Sequence, residues 1–135
     1  MAQTPLAIAR VAAAAADGRK ATDIVLIDLT GISDVCDYFL ICTVANGPQM
    51  DSVLEGIRES VAAICGIKPI STEGREGGTW VVMDYGSLVA HVFKPEARDH
   101  FRLERLWGEA PRIPLDLKGA TAAPVGSLDD AVGER

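Results

Sequence analysis

The sequence of 135 residues predicts an α/β domain, a single mixed sheet of about five strands with helices packed on it. Three observations carry this. Two short and almost unbroken apolar runs, IVLIDL at 24–29 and YFLICTVA at 38–45, are rich in β-branched and aromatic residues, the pattern of strands covered on both faces. Between Met50 and Ile64 the apolar residues recur at helical spacing. Two further β-rich segments, WVVMD and LVAHVF, are joined by Tyr85-Gly86-Ser87, a hairpin signal.

Taken in order, Thr4 suits an N-cap, Pro5 a first helical position and Gly18 the close of a helix over residues 4–17. Its stripe of Ile8, Val11, Ala12 and Ala15 is built from small side chains and predicts close packing. The two strands follow, linked by Thr30–Asp37 (TGISDVCD), a polar connection with apolar pins. Asn46, Gly47 and Pro48 open a second helix, with Met50, Val53, Leu54, Ile57, Val61 and Ile64 on one stripe, Asp51, Glu55, Arg58 and Glu59 off it, and Gly66 at its end. Lys68–Glu73 predicts a short edge strand, because Pro69 cannot donate to a ladder. Gly74–Gly78 (GREGG) is a turn, followed by the hairpin strands Trp80–Asp84 and Leu88–Phe93. Pro95 opens a last helix to about Trp107, carrying Phe101, Leu103, Leu106 and Trp107. The domain is expected over residues 1–110. Residues 111–135 form a C-terminal segment, extended over Pro111–Leu117 and disordered from about Lys118.

The net charge is −6 and the pI about 4.8. With no block of Lys or Arg, such a chain is poorly suited to phosphate-driven nucleic-acid binding and better suited to a basic protein partner. The cysteines, Cys36, Cys42 and Cys65, are odd in number and lack a C-x-x-C spacing, so buried reduced thiols are expected rather than a disulfide framework or a zinc site. No apolar stretch reaches the roughly 20 residues of a membrane helix, and the Ala-rich start lacks the basic opening of a signal peptide. These features predict a cytoplasmic protein.

Catalytic arrangements are not indicated. His91 lies on a strand on the same face as Val89 and Phe93, the setting of a hydrogen-bonded structural residue or a binding face; His100 sits among charges on the last helix. Ser87 follows Gly86 without a G-x-S-x-G elbow. Gly74–Gly78 has no helix after it, which favours a hairpin loop over a phosphate cradle. Two-metal nucleotidyl transfer needs carboxylates paired on one strand face, whereas Asp28, Asp34, Asp37 and Asp84 read as strand ends and loop caps. No cofactor and no metal are expected. What remains is a surface constellation of Glu73, Trp80, Asp84, Tyr85 and His91 from adjacent strands, of the residue types that anchor protein–protein interfaces. Trp80 is equally suited to the core.

These residues fall into a family pattern. Asp28 within VLIDL, then Asp37 to Thr43 (DYFLICT), Glu73-Gly74, Trp80 to Gly86 (WVVMDYG), Val89 to Phe93 (VAHVF), Arg98 and Leu103 to Trp107 (LERLW) resemble the ribosomal silencing factor family, also called Iojap-like. The likeness spans about Thr22 to Trp107. It implies a fold related to nucleotidyltransferases but without their catalytic carboxylates. It also implies binding to the large ribosomal subunit through ribosomal protein fourteen, a steric block to small-subunit joining, repression of translation, and a homodimer when free. The alternatives are a nucleotide-binding or nucleotidyltransferase-like enzyme using Asp28, Asp34, Asp37 or Asp84, and a large-subunit assembly factor. Where family members often carry a Ser and a His three residues apart, this chain has Asn46 and Gln49, which keep hydrogen bonding without the imidazole charge.

Overall fold

The structure, a computed structural model, describes residues 4–106, 108 and 110–115. Its elements are α1 (Pro5–Gly18), β1 (Thr22–Asp28), β2 (Tyr38–Thr43), α2 (Gly47–Cys65), β3 (Ser71–Glu73), β4 (Trp80–Asp84), β5 (Leu88–Phe93), α3 (Pro95–Phe101) and α4 (Leu103–Leu106). The strands form one sheet in the order β1-β2-β5-β4-β3. β2 and β5 run parallel, from Tyr38 opposite Leu88 to Thr43 opposite Phe93. The other three pairings are antiparallel.

Period-two alternation divides each strand between two faces. Leu26, Tyr38, Leu40, Cys42, Val81, Met83, Leu88, Ala90 and Val92 are buried on the face that α1 and α2 cover. On α2 the buried residues Met50, Val53, Leu54, Ile57 and Val61 form the stripe read from the sequence. Its last member, Ile64, is 58 % exposed. The small residues of α1 let it lie close to α2, with Ala9, Ala12, Ala13 and Ala16 fully buried. The second face carries a smaller cluster, in which Ile27, Leu29, Ile41 and Phe93 meet Cys36, Ala97, Leu103 and Ala110.

Caps set the helix boundaries. Thr4 Oγ1 accepts from Ala7 N at 3.1 Å, and Gly66 ends α2 in the left-handed region. Asn46 Oδ1 accepts from Gln49 N at 2.9 Å, while Gln49 Oε1 accepts from Ala45 N at 2.6 Å. The Gln49 amide also donates to the carbonyl of Lys20 at 2.8 Å. The two positions where the family often places Ser and His are therefore a reciprocal cap that ties α2 to the α1–β1 turn.

The expected single helix from Pro95 is split. Arg102 adopts φ 47°, and its side chain turns back onto Asp99, donating to that residue's carbonyl and carboxylate at 2.9 Å. Neither Gly nor Pro marks this break in the sequence, and the side-chain bonds to Asp99 stabilise it. The connection after it runs as an extended strap. Asp28 N donates to Pro111 O and Ile113 N to Leu26 O, both at 2.8 Å, so residues 111–113 line the outer edge of β1. Trp107 and the segment expected to be disordered from Lys118 lie outside the described residues.

Gln49→Ala is expected to lower the unfolding free energy by about 1 kcal/mol, since the amide's bonds to Ala45, Arg19 and Lys20 at the helix cap are lost together. A urea midpoint shifted down at constant m-value checks this. An unchanged midpoint would mean that water replaces the amide.

Candidate functional site

The second face is divided unequally. α3, α4 and Ala110 cover its β1–β2 side, where the cluster around Ile27, Ile41 and Phe93 lies. Toward β4 and β3, strand register places one patch. Glu73 is opposite Val82 and Val82 opposite His91; Trp80 is opposite Phe93; Asp84 is opposite Val89, and Val89 opposite Phe39. Paired residues share a face, so these side chains form a contiguous surface. Trp80, Val82, Val89, Phe39 and Asp84 are half-buried and Glu73 is exposed.

Trp80 resolves the choice between core and surface by being both. Its indole stacks on Phe93 with centroids 5.0 Å apart and planes at 25°, which roots it in the cluster. Its N–H donates to His91 Nδ1 at 3.1 Å. This bond leaves the imidazole proton on Nε2. His91 is 6 % exposed, and burial pushes its pKa down to about 4, so the ring is neutral at physiological pH. The Phe39 ring lies 4.5 Å away, tilted at 60°.

The approach of β3 to β4 depends on Gly74. Its φ is 93°, and a Cβ there would lie 2.2 Å from the carbonyl oxygen of Trp80. Gly78 N closes the loop onto Gly74 O at 3.0 Å, making Gly74–Gly78 a hairpin loop that fixes Glu73 beside Trp80. Asp84 Oδ1 accepts from Gly86 N at 2.7 Å, which caps the β4–β5 turn.

The structure thus brings together Glu73, Trp80, Asp84 and His91, and it separates Tyr85 from them. Tyr85 continues the alternation of Val81 and Met83 and is buried in the cluster beneath α1 and α2. Burial raises its hydroxyl pKa to about 12. Its expected place in the surface constellation is therefore corrected: adjacency to Asp84 in sequence puts it on the opposite face. Phe39 joins the patch instead, with Val82 and Val89. The signal for Phe39 is its position two residues before Ile41 on an apolar strand, but only the β2–β5 register places it beside Val89.

Among the other groups weighed for chemistry, Asp28 has structural partners. Asp28 Oδ1 accepts from Thr30 N at 2.9 Å and Thr30 Oγ1 at 2.6 Å, and these bonds hold its carboxyl below the usual carboxylate range. Among the described residues, no group of three or more His, Cys, Asp or Glu side chains is placed to hold a metal ion. The thiols of Cys36 and Cys42 are buried and Cys65 is half-buried; none is in a disulfide. Burial pushes the Cys42 thiol up to about 12, which leaves it unreactive. A cleft of about 630 Å³ at the far end of the face is lined by Arg98, Arg102 and Arg112. Arg98 donates to the Asp23 carbonyl at 2.7 Å and the Thr43 hydroxyl at 2.8 Å, so it ties α3 to the strands.

Comparison with known proteins gives a concordant result. A family model described as "Ribosomal silencing factor during starvation" matches residues 2–131. "Ribosomal silencing factor RsfS" of Bacillus subtilis is 41 % identical over 110 residues, covering 82 % of this chain and 92 % of that protein. A crystal structure from Bacillus halodurans aligns with a TM-score of 0.70 at 34 % identity, over 82 % of this chain and 99 % of that one. The mouse protein "Mitochondrial assembly of ribosomal large subunit protein 1" is 28 % identical over 90 residues, covering 65 % of this chain and 40 % of the mouse protein.

The buried imidazole makes stability depend on pH. In the unfolded chain His91 titrates near its ordinary value of 6.5, whereas in the folded chain it does so near 4. As pH falls below 6.5 the unfolded state takes up a proton that the native state refuses, so stability is lost until pH 4. Between pH 7 and 5 this costs about 2 kcal/mol. Chemical denaturation at both pH values checks it, with His91→Gln showing a flatter profile than the parent.

Proposed function

This chain belongs to the ribosomal silencing factor family, and we propose that it represses translation by occupying the large ribosomal subunit so that the small subunit cannot join. The docking site is the patch of Trp80, Val82, Phe39 and Val89, with Glu73 and Asp84 at its rim and His91 beneath. The partner is ribosomal protein fourteen of the large subunit, as the likeness to the family implies. The observation that carries this reading is the half-buried aromatic and apolar surface, set beside carboxylates on a chain of charge −6. A basic ribosomal protein complements that charge, and the central aromatic supplies the anchor that such interfaces need.

Occupation requires no bond chemistry. An interface of the usual ~1,600 Å² of total buried surface is enough to exclude a second body from the same place. The free protein is expected to pair with a second copy, and direct contact with RNA is a minor part of binding. The mouse relative's name concerns assembly of a large ribosomal subunit. The same docking in an assembly role is the second reading, and it differs in when the protein binds rather than where.

Sedimentation with isolated subunits tests the proposal. The protein is expected with large subunits and not with small ones, and when added first it should reduce the yield of joined ribosomes. Co-sedimentation with small subunits alone overturns the reading. Binding should weaken only gently with salt, since carboxylates facing a basic protein lose steering by screening. A slope equal to about six or more released counterions would make RNA the main partner.

Trp80→Ala is expected to weaken binding at least about thirtyfold, with some loss of melting temperature from the broken stack on Phe93. Glu59→Gln, on the far side of α2, should bind as the parent does.

A further inference from the structure

Four large apolar residues are exposed among those described, Ile32, Val35, Ile64 and Ile70, and two of them lie in the loop between β1 and β2. Val35 is 87 % exposed and Ile32 52 %. A loose loop could carry such residues without consequence. This loop is held. The Leu29 N–H donates to the Asp37 carbonyl at 2.8 Å, closing the ends of the loop on each other. Ile32 N and Ser33 N both donate to the Leu29 carbonyl, at 3.0 and 2.9 Å. Ser33 Oγ accepts from Val35 N at 3.1 Å, and Asp28 caps Thr30.

The loop is also anchored to the face that carries the patch. Leu29 and Cys36 are buried in the second-face cluster, against which Phe39, Val89 and Trp80 pack. Asp37 N donates to the Ser87 carbonyl at 2.9 Å, which sets the loop beside the β4–β5 turn and Asp84. The carboxylates of Asp37 and Asp84 both act on the Cys36 thiol, whose pKa they raise after burial does. Buried pins thus point inward while Ile32 and Val35 stay in solvent, rimmed by Asp34, Asp37 and Asp84. Ordering the loop before binding removes part of the entropy cost of using it.

We propose that residues 30–37 form a second contact element of the docking face, placing Ile32 and Val35 in an apolar recess on a basic partner protein, with Asp34, Asp37 and Asp84 meeting its cationic rim. This rests on the docking function proposed above and adds the loop, the recess and the sign of the surrounding charge. The occupant is a protein surface rather than a second copy of this chain, because a copy would bring the same carboxylates against these.

The test uses the full chain and isolated large ribosomal subunits in quantitative co-sedimentation. Val35→Lys puts a cation where the partner is cationic and is expected to bind at least about tenfold more weakly. Val35→Ala removes only apolar contact and should lose about threefold. Ile32→Ser is a second variant of the same element and should fall between them. Ile64→Lys, at another exposed apolar residue, on α2, serves as control and should bind as the parent. Melting temperatures of the Val35 variants should match the parent, since the side chain is in solvent. Parent-like binding by Val35→Lys, alongside loss in Trp80→Ala, overturns the loop contact and leaves the docking face standing. Failure of the parent to bind large subunits overturns both.

Discussion

Parallel pairing of β2 with β5 is the constraint on which the molecule depends. Parallel neighbours cannot be joined by a tight turn, so the chain must leave the sheet and return. Here it does so through α2 and the β3–β4 hairpin before β5 enters beside β2. The two strands are buried on both faces except at Phe39 and Val89, which explains why YFLICT and LVAHVF are so nearly apolar throughout. Their register then decides everything on the second face. It sets Ile41 against His91 and Phe39 against Val89, and through β5 it fixes where Trp80 and Val82 stand on β4. A slip of one residue would turn His91 into the helix-side core and bring Val92 to the patch.

Much of this was legible in the sequence, because it rests on local signals. The hairpin strands Trp80–Asp84 and Leu88–Phe93 and the caps of α1 and α2 follow from alternation, helical spacing and turn residues. What was not legible depends on distant partners. The break at Arg102 comes from bonds that its own side chain makes to Asp99, with no Gly or Pro to announce it. Tyr85 lies opposite to its expected side because the alternation of β4 runs one residue past the strand. Phe39 enters the patch through a pairing between residues about fifty positions apart, which no periodicity within either strand reveals.

The acidic residues illustrate how one composition serves two ends. Asp28 and Asp84 complete turns by accepting backbone N–H groups, so they shape the loops at one end of the sheet. The same residues leave negative charge at that end, next to half-buried apolar side chains. These carboxylates thus serve the turns and a charged margin beside the patch.

The strap along β1 has a kinetic consequence. Ala110 is buried on one side of the sheet while Ile113 and Leu115 pack on the other, so the strap crosses the border strand and bonds to Leu26 and Asp28 on its way. Those bonds join positions more than eighty residues apart, and such long-range closures come late in folding. Until then the outer amides of β1 are an unpaired template, and a neighbouring nascent or partly folded chain can add to them. Once closed, the strap pairs the Leu26–Asp28 end of that edge, while the sheet's other border is the three-residue β3. Residues 111–113 therefore act as a selvedge for the β1 border of the sheet, woven in after the strands it binds.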